Sequence, residues 1–447
     1  MTKTAKWAIA IGATIFLVFV AAVSTGIYFA VTAGMGRKMF DEGYAAMNRR
    51  EYDKAIAQFD FALGKRLTSQ YKAYALGDRA YSYQQKERRD EAIRDYTAAL
   101  VIDPKLSFAY AERGMLLERK GEKDKALEDY NQAIRLDPNA TAVFYRRGLM
   151  FTQKRDFDKA IADFSEAIRS YPNHSFAYLE RGIAYERKND LDSALASFDS
   201  AISVWPRNAR AYLQRGYLYR RKHELDKAIA DFAEAIRLEP KNGNTFRARA
   251  FALIEKAQWR EAIADCTEGL SLNPKDIGLL EIRGTCYGKQ GDHEHAIADF
   301  TEWIRVKRSR RAYDFRARAY DKAGQYPNAI ADYKQGAQES GPVTRSIKGL
   351  PWLLATCPAA SFRDSQQAVI EATEDCERTA WKSWNCLDTL AAAYASAGDF
   401  DAAIRYEEQA LAGKDLSATW RAEMEERLAL YQKRQPYREA KPRLTGG

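Results

Sequence analysis

The chain has few of the residues from which catalytic and metal centres are built. Among 447 residues there are four histidines, His174, His223, His293 and His295, scattered along the sequence. The one close pair, His293-Glu294-His295, is followed by Ile297 and Ala298 and lacks the histidine spacing of a zinc protease. Five cysteines, Cys266, Cys286, Cys357, Cys376 and Cys386, form no C-x-x-C pair and leave an odd one over, which argues against a zinc site and a dense disulfide framework. A Cys357–Cys376 disulfide would need an offset helix or a chain that folds back, so it is allowed but not implied. There is no phosphate-cradling glycine loop and no nucleophile elbow. No enzyme, cofactor or metal is expected. Prolines number only 12 and strand signals are weak, which favours an all-α chain. The net charge of +9 comes from 70 basic residues interspersed with 61 acidic ones, without a long basic block, so nucleic acid is not the expected partner.

What the sequence does have begins with an apolar run. No charged residue stands between Lys6 and Arg37, and Trp7 to Ala33 is nearly all apolar. About 20 such residues cross a bilayer as a helix. The expected organisation is a short tail (1–6) and a transmembrane signal anchor (7–35). A cleaved signal peptide is the rival, although the run exceeds the roughly 7–15 residues of a signal-peptide core. Lys3 and Lys6 precede the run, and Arg37, Lys38, Arg49 and Arg50 follow it, so the basic residues do not decide its orientation. A short basic tail is usually kept inside. The expectation is therefore a single-pass protein of a bacterial cytoplasmic (inner) membrane, with its array on the periplasmic side.

Beyond the run a period of 34 residues dominates. Small residues recur at Gly43, Ala80, Gly114, Gly148, Gly182, Gly216, Ala250 and Gly284. A second small series lies twelve residues after each, at Ala55, Ala92, Ala126, Ala160, Ala194, Ala228, Ala262 and Ala296, with Ala329 continuing it after one deletion. A large ring stands four residues further on, from Phe59 and Tyr96 to Phe300 and Tyr333, with Cys266 as the substitute. Prolines from Pro104 to Pro274 punctuate the units. Two helices joined by a short turn approach closely only where small residues face each other, and the aromatic side chains fill the wedge beside them. Proline restricts the residue before it and ends the second helix. Such hairpins bury their apolar faces by stacking on their neighbours.

The stretch AYAERGMLLERKGEKDKALEDYNQAIRLDP, Ala109 to Pro138, resembles a tetratricopeptide repeat, as do its neighbours. Nine such hairpins are expected over 36–341. A degenerate hairpin (342–384), a repeat-like hairpin (385–415), a capping helix (416–434) and a tail (435–447) complete the chain. The block from Trp352 to Glu439, with its LATCP and LDTLAAAYA stretches, resembles a C-terminal segment of bacterial tetratricopeptide proteins. The resemblance implies a right-handed superhelical solenoid whose first helices line a groove for peptides or helices of partner proteins.

An arginine precedes the small residue of each first helix, at Arg79, Arg113, Arg147, Arg181, Arg215, Arg249, Arg283 and Arg316. The second helices carry Asp95, Asp129, Asp163, Asp231, Asp265, Asp299 and Asp332, with Ser197 as the exception. The first unit has Glu42 and Gln58 and lacks both members. A structural ladder of Arg–Asp pairs is expected. Side chains two residues after each arginine should line the groove: Tyr81, Met115, Leu149, Ile183, Tyr217 and Phe251, then the polar Thr285 and Arg318. Tyr74, Phe108, Tyr145, Phe176, Leu179 and Leu213 extend the strip by helical spacing. Part of this set must instead pack against the neighbouring hairpin. The expected function is a non-catalytic, membrane-anchored scaffold or adaptor. The alternative is an accessory or regulatory subunit of an envelope enzyme or of a secretion or assembly complex.

Overall fold

Residues rich in alanine and in long unbranched side chains, cut at regular intervals by proline, can form little but short helices. The computed structural model describes residues 25, 30, 32–339, 349–413 and 416–440, and among these there is no strand. The expected tail of residues 1–6 and nearly all of the expected membrane helix lie outside the described residues. Among the described residues no helix is long and apolar enough to cross a membrane.

The chain divides into two compact units, residues 1–211 and 212–447. In the first, α1 is described over residues 32–48, so helix continues across the expected boundary at residue 35. Then follow α2 (Tyr52–Leu63), α3 (Ser69–Gln85), α4 (Arg89–Ile102), α5 (Ser107–Lys120), α6 (Lys123–Leu136), α7 (Thr141–Gln153), α8 (Phe157–Ser170), α9 (Ser175–Arg187) and α10 (Leu191–Val204). The division falls within α11 (Ala209–Arg221). The second unit continues with α12 (Leu225–Leu238), α13 (Gly243–Glu255), α14 (Trp259–Leu272), α15 (Ile277–Lys289), α16 (His293–Val306), α17 (Arg310–Lys322) and α18 (Tyr326–Gln338). The irregular end consists of α19 (Leu350–Thr356), a single 3-10 turn, α20 (Ser365–Arg378), α21 (Trp384–Ala397), α22 (Phe400–Leu411) and α23 (Ala418–Gln432). Each unit is a solenoid of stacked helical hairpins.

Six of the second helices stop just before a proline. Asp103, Asp137, Tyr171 and Trp205 of the first unit, and Glu239 and Asn273 of the second, each precede a proline, and their φ lies between −141° and −130°. That places them outside the helical region. Aspartates Asp156, Asp190, Asp292 and Asp399 start second helices by accepting the backbone N–H three residues on. The small–aromatic wedge is tight. A Cβ built on Gly148 would stand 2.7 Å from the Phe164 ring, and one on Gly182 2.6 Å from Phe198. Where the first helix carries Ala250, the second carries Cys266 in place of a ring, and both are fully buried.

All five cysteines are free and buried, so Cys357 and Cys376 are not joined. The chain after α23 does not trail away. Glu439 donates its backbone N–H to the Thr356 carbonyl at 3.0 Å, and Arg438 reaches the Ala355 carbonyl at 2.8 Å. Indole Nε1 of Trp352 donates to Glu439 at 2.8 Å, and Lys322 pairs with the same carboxylate at 3.1 Å. Residues 437–439 of the expected tail therefore strap the end of α19, because three acceptors or donors there would otherwise be left at a frayed helix terminus.

Candidate partner-binding surface

The arginines and aspartates of the repeats meet sixteen residues apart, in two-pronged pairs. In the first unit Arg79 donates Nε and Nη2 to Asp95 at 2.6 and 2.7 Å, Arg113 to Asp129 at 2.8 and 2.7 Å, and Arg147 to Asp163 at 2.8 and 2.7 Å. Arg181 has only hydroxyl acceptors, Ser197 and Ser165, each at 3.3 Å. In the second unit Arg215 holds Asp231, Arg249 holds Asp265, Arg283 holds Asp299 and Arg316 holds Asp332 in the same geometry, with bonds of 2.6 to 3.0 Å. The carboxylates are buried and the guanidinium groups half-buried. For Asp163 burial outweighs its Arg147 partner and pushes the carboxyl up from its ordinary range.

A third bond extends the ladder beyond what the pairing rule suggests. The free Nη1 turns back to the preceding hairpin: Arg113 to Thr97 at 3.1 Å and Arg147 to Asn131 at 2.6 Å in the first unit, Arg283 to Thr267 at 3.2 Å and Arg316 to Thr301 at 3.1 Å in the second. Arg79 pairs in this direction with Asp60. Each of these arginines thus ties its own hairpin to the one before. The acceptors sit two residues after the aspartate position, a polar series at the same 34-residue period, and this was the readable signal. Guanidinium groups committed in this way are not open to phosphates.

On the other edge of the first helices, the sequence-derived groove set divides by burial. In the first unit Tyr81, Phe108 and Phe176 are exposed, at 37%, 39% and 43%. Met115, Tyr145, Leu149 and Ile183 are half-buried, as is Tyr74, whose ring stacks on Phe108 with centroids 6.5 Å apart. Leu179 is corrected by the structure: it is fully buried, on the face that α9 gives to the core, and cannot line a groove. In the second unit Phe251 is 43% exposed, while Leu213 and Tyr217 are half-buried. The Tyr217 ring is set edge-on against Phe232 at 5.4 Å, which makes it as much core as surface.

One buried polar cluster escaped the sequence reading. Arg427 of α23 donates Nε to Asp388 of α21 at 2.9 Å and lies 3.4 Å from Glu407 of α22, with all three side chains buried. Burial and the neighbouring Asp388 charge push the Glu407 carboxyl up to about 9, so it is protonated at neutral pH beside its charged neighbours. The cluster joins the last three helices. Separate single charges in three helices carry no periodic signal. His295, in the exposed first turn of α16, lies 2.8 Å from the N-cap residue Asp292. Among the described residues no group of three or more His, Cys, Asp or Glu is placed to hold a metal ion.

A family model described as a tetratricopeptide repeat matches residues 40–107, 111–175 and 179–243. No curated protein matches the chain. Among solved structures, the chain is similar to a tetratricopeptide repeat protein from Parabacteroides merdae, at 18% identity and TM-score 0.41 over 65% of this chain and 98% of that one. It is also similar to PilF of Pseudomonas aeruginosa, at 17% and 0.42 over 48% and 99%, and to YrrB, described as having an unusual peptide-binding site, at 20% and 0.37 over 42% and 96%. Over residues 40–243, where the family model matches, the helical hairpins are tetratricopeptide repeats.

Proposed function

We propose that the chain is a non-catalytic scaffold or adaptor that holds an extended or helical segment of a partner protein against the exposed edge of its first helices. The observation that carries this is the trio Tyr81, Phe108 and Phe176, large rings exposed on α3, α5 and α9, whereas the wedge rings Tyr96, Tyr130 and Phe198 of α4, α6 and α10 are fully buried. Exposed aromatic surface on a rigid support is the kind of patch that protein partners cover. The apolar run of residues 7–35 anchors the scaffold in the cytoplasmic membrane of a bacterium, with the array on the periplasmic side.

Two experiments test the reading. An alkaline phosphatase fused after Gly447 should be active; an inactive phosphatase beside a fluorescent cytoplasmic reporter fused at the same place would put the array inside the cell. Tyr81→Glu with Phe176→Glu should abolish cross-linking to the native partner while leaving helix content unchanged. Undiminished cross-linking by the folded variant would move the binding surface elsewhere.

A further inference from the structure

The first three hairpins enclose a pocket of about 430 Å³ that differs from its neighbours in charge and in hydrogen bonding. Its walls are aromatic: Tyr44, Tyr81 and Phe108 are exposed at 47%, 37% and 39%. Its charged lining is mostly acidic. Asp78 of α3 and Glu112 of α5 both face it, and the only cation on it is Arg50, in the exposed turn after α1. With both carboxylates ionised, two negative charges oppose one positive.

The hydrogen bonding is incomplete. Tyr96 is fully buried, lines the pocket, and its hydroxyl has no partner. One repeat later the equivalent Tyr130 hydroxyl donates to Glu118 at 2.7 Å. The residue matching Glu118 here is Gln84, which gives its amide to Glu112 at 2.9 Å and leaves its own buried Oε1 without a donor. Buried polar atoms are nearly always paired, so an amide oxygen without a donor beside two carboxylates marks a place prepared for one, and the Tyr96 hydroxyl, which can accept as well as donate, is unpaired beside it.

Elsewhere in this unit the chain supplies that donor itself. Arg146, two repeats on from Asp78 in the same register, lies 3.6 Å from Glu118, and Arg210 donates to the buried Glu180 at 2.7 Å. Asp78 has no such arginine; without one, burial pushes its carboxyl up to about 7. Aromatic faces attract cations, and most strongly where water is excluded.

We infer that this pocket receives the side chain of an arginine or lysine from the partner segment, with Asp78 and Glu112 taking its charge and Tyr81 and Phe108 its stem. The inference rests on the proposed partner-holding role and adds to it a chemical requirement: the partner carries a basic residue where it crosses the first hairpins. An internal arginine fills this office in later repeats; here an external one does. A bound cation favours ionised Asp78, so uptake strengthens as pH rises through about 7 and weakens below it.

The test uses the full chain and N-acetyl-arginine methylamide, with the citrulline analogue as an uncharged isostere, followed by saturation-transfer NMR and shift titration at pH 6 and pH 8. Arginine should bind at pH 8 at least about tenfold more tightly than citrulline, and Asp78→Asn should remove that difference. Melting curves identify a misfolded variant, in which case Tyr81→Ala, an exposed wall position, should give the same weakening. Equal binding of citrulline, or arginine binding unchanged in the folded Asp78→Asn chain, overturns the inference. So does tetramethylammonium binding as well as arginine, which would make the pocket a site for small organic cations. Because the probe is independent of the native partner, its failure leaves partner capture standing, and loss of partner capture leaves the probe result standing.

Discussion

Arg427 and Asp388 lie 39 residues apart in sequence and meet at 2.9 Å, each with only 4% of its side chain exposed. The pair, with Glu407, fastens α23 to the hairpin of α21 and α22 at the end of the second unit. Replacing a buried ion pair with apolar residues is often harmless, but removing one member strands the other at a cost of about 3–5 kcal/mol. Arg427→Met should therefore loosen α23 well before the rest of the chain. Hydrogen exchange would show early loss of protection confined to residues 384–432; protection lost evenly along the chain would contradict a local clasp.

The same cluster sets a pH dependence. Glu407 has its carboxyl raised from 4.5 to about 9, so the folded state holds this proton more tightly than the unfolded chain does. Its contribution is fully present below about pH 4.5 and is lost progressively as pH rises to about 9. Melting of the second unit should fall between pH 6 and pH 9 in the native chain and fall less in Glu407→Gln, which keeps the neutral form at every pH. An unchanged slope in the variant would mean that Glu407 is not the titrating group.

The ladder can be tested at its most regular member. Asp163→Ala leaves Arg147 half-buried without its carboxylate and should cost about 3 kcal/mol or more. Glu128→Ala, an exposed position on α6, should change stability by no more than about 0.5 kcal/mol. Equal small effects would make the ladder surface decoration. Asp190 would be a poor control, because it caps α10 by accepting the Ser193 N–H.

Much of this architecture is legible in sequence because it repeats. A pairing such as Arg147 with Asp163 recurs through the regular repeats, except in the first, which has Glu42 and Gln58, and where Ser197 replaces the acid, and each copy reports on the others. Leu179 was misassigned because a first helix has two apolar edges, and spacing alone does not say which one the neighbouring hairpin covers. The Arg427 cluster and the strap at Glu439 were invisible for the opposite reason. Each occurs once, and long-range pairs without a period leave no trace in a single sequence. The pocket around Tyr96 lies between: it is a departure from the repeat, Gln84 where the next unit has Glu118, and gains meaning only when the next unit's hydrogen bond is known.

The wedge between Gly182 and Phe198 predicts a compensated pair. Gly182→Ala gains up to about 1 kcal/mol of helix propensity, yet its Cβ would stand 2.6 Å from the ring, and overpacking costs about 1–3 kcal/mol. The net change should be destabilising. Adding Phe198→Cys recreates the Ala250 and Cys266 combination of the second unit and should relieve the clash while losing ring burial. The double variant should therefore lose less stability than the sum of the two single losses, as a double-mutant cycle would show. Strict additivity would mean that the two positions do not touch.

The central claim, that partners are held on the exposed edge of the first helices, is tested most directly by site-specific photo-cross-linking in native membranes. A photoreactive phenylalanine at Phe176 should yield one discrete adduct. The same residue at Val101, 78% exposed on the second helix α4, should yield none. An adduct formed from Val101 and not from Phe176 would contradict the account and assign partner binding to the second helices.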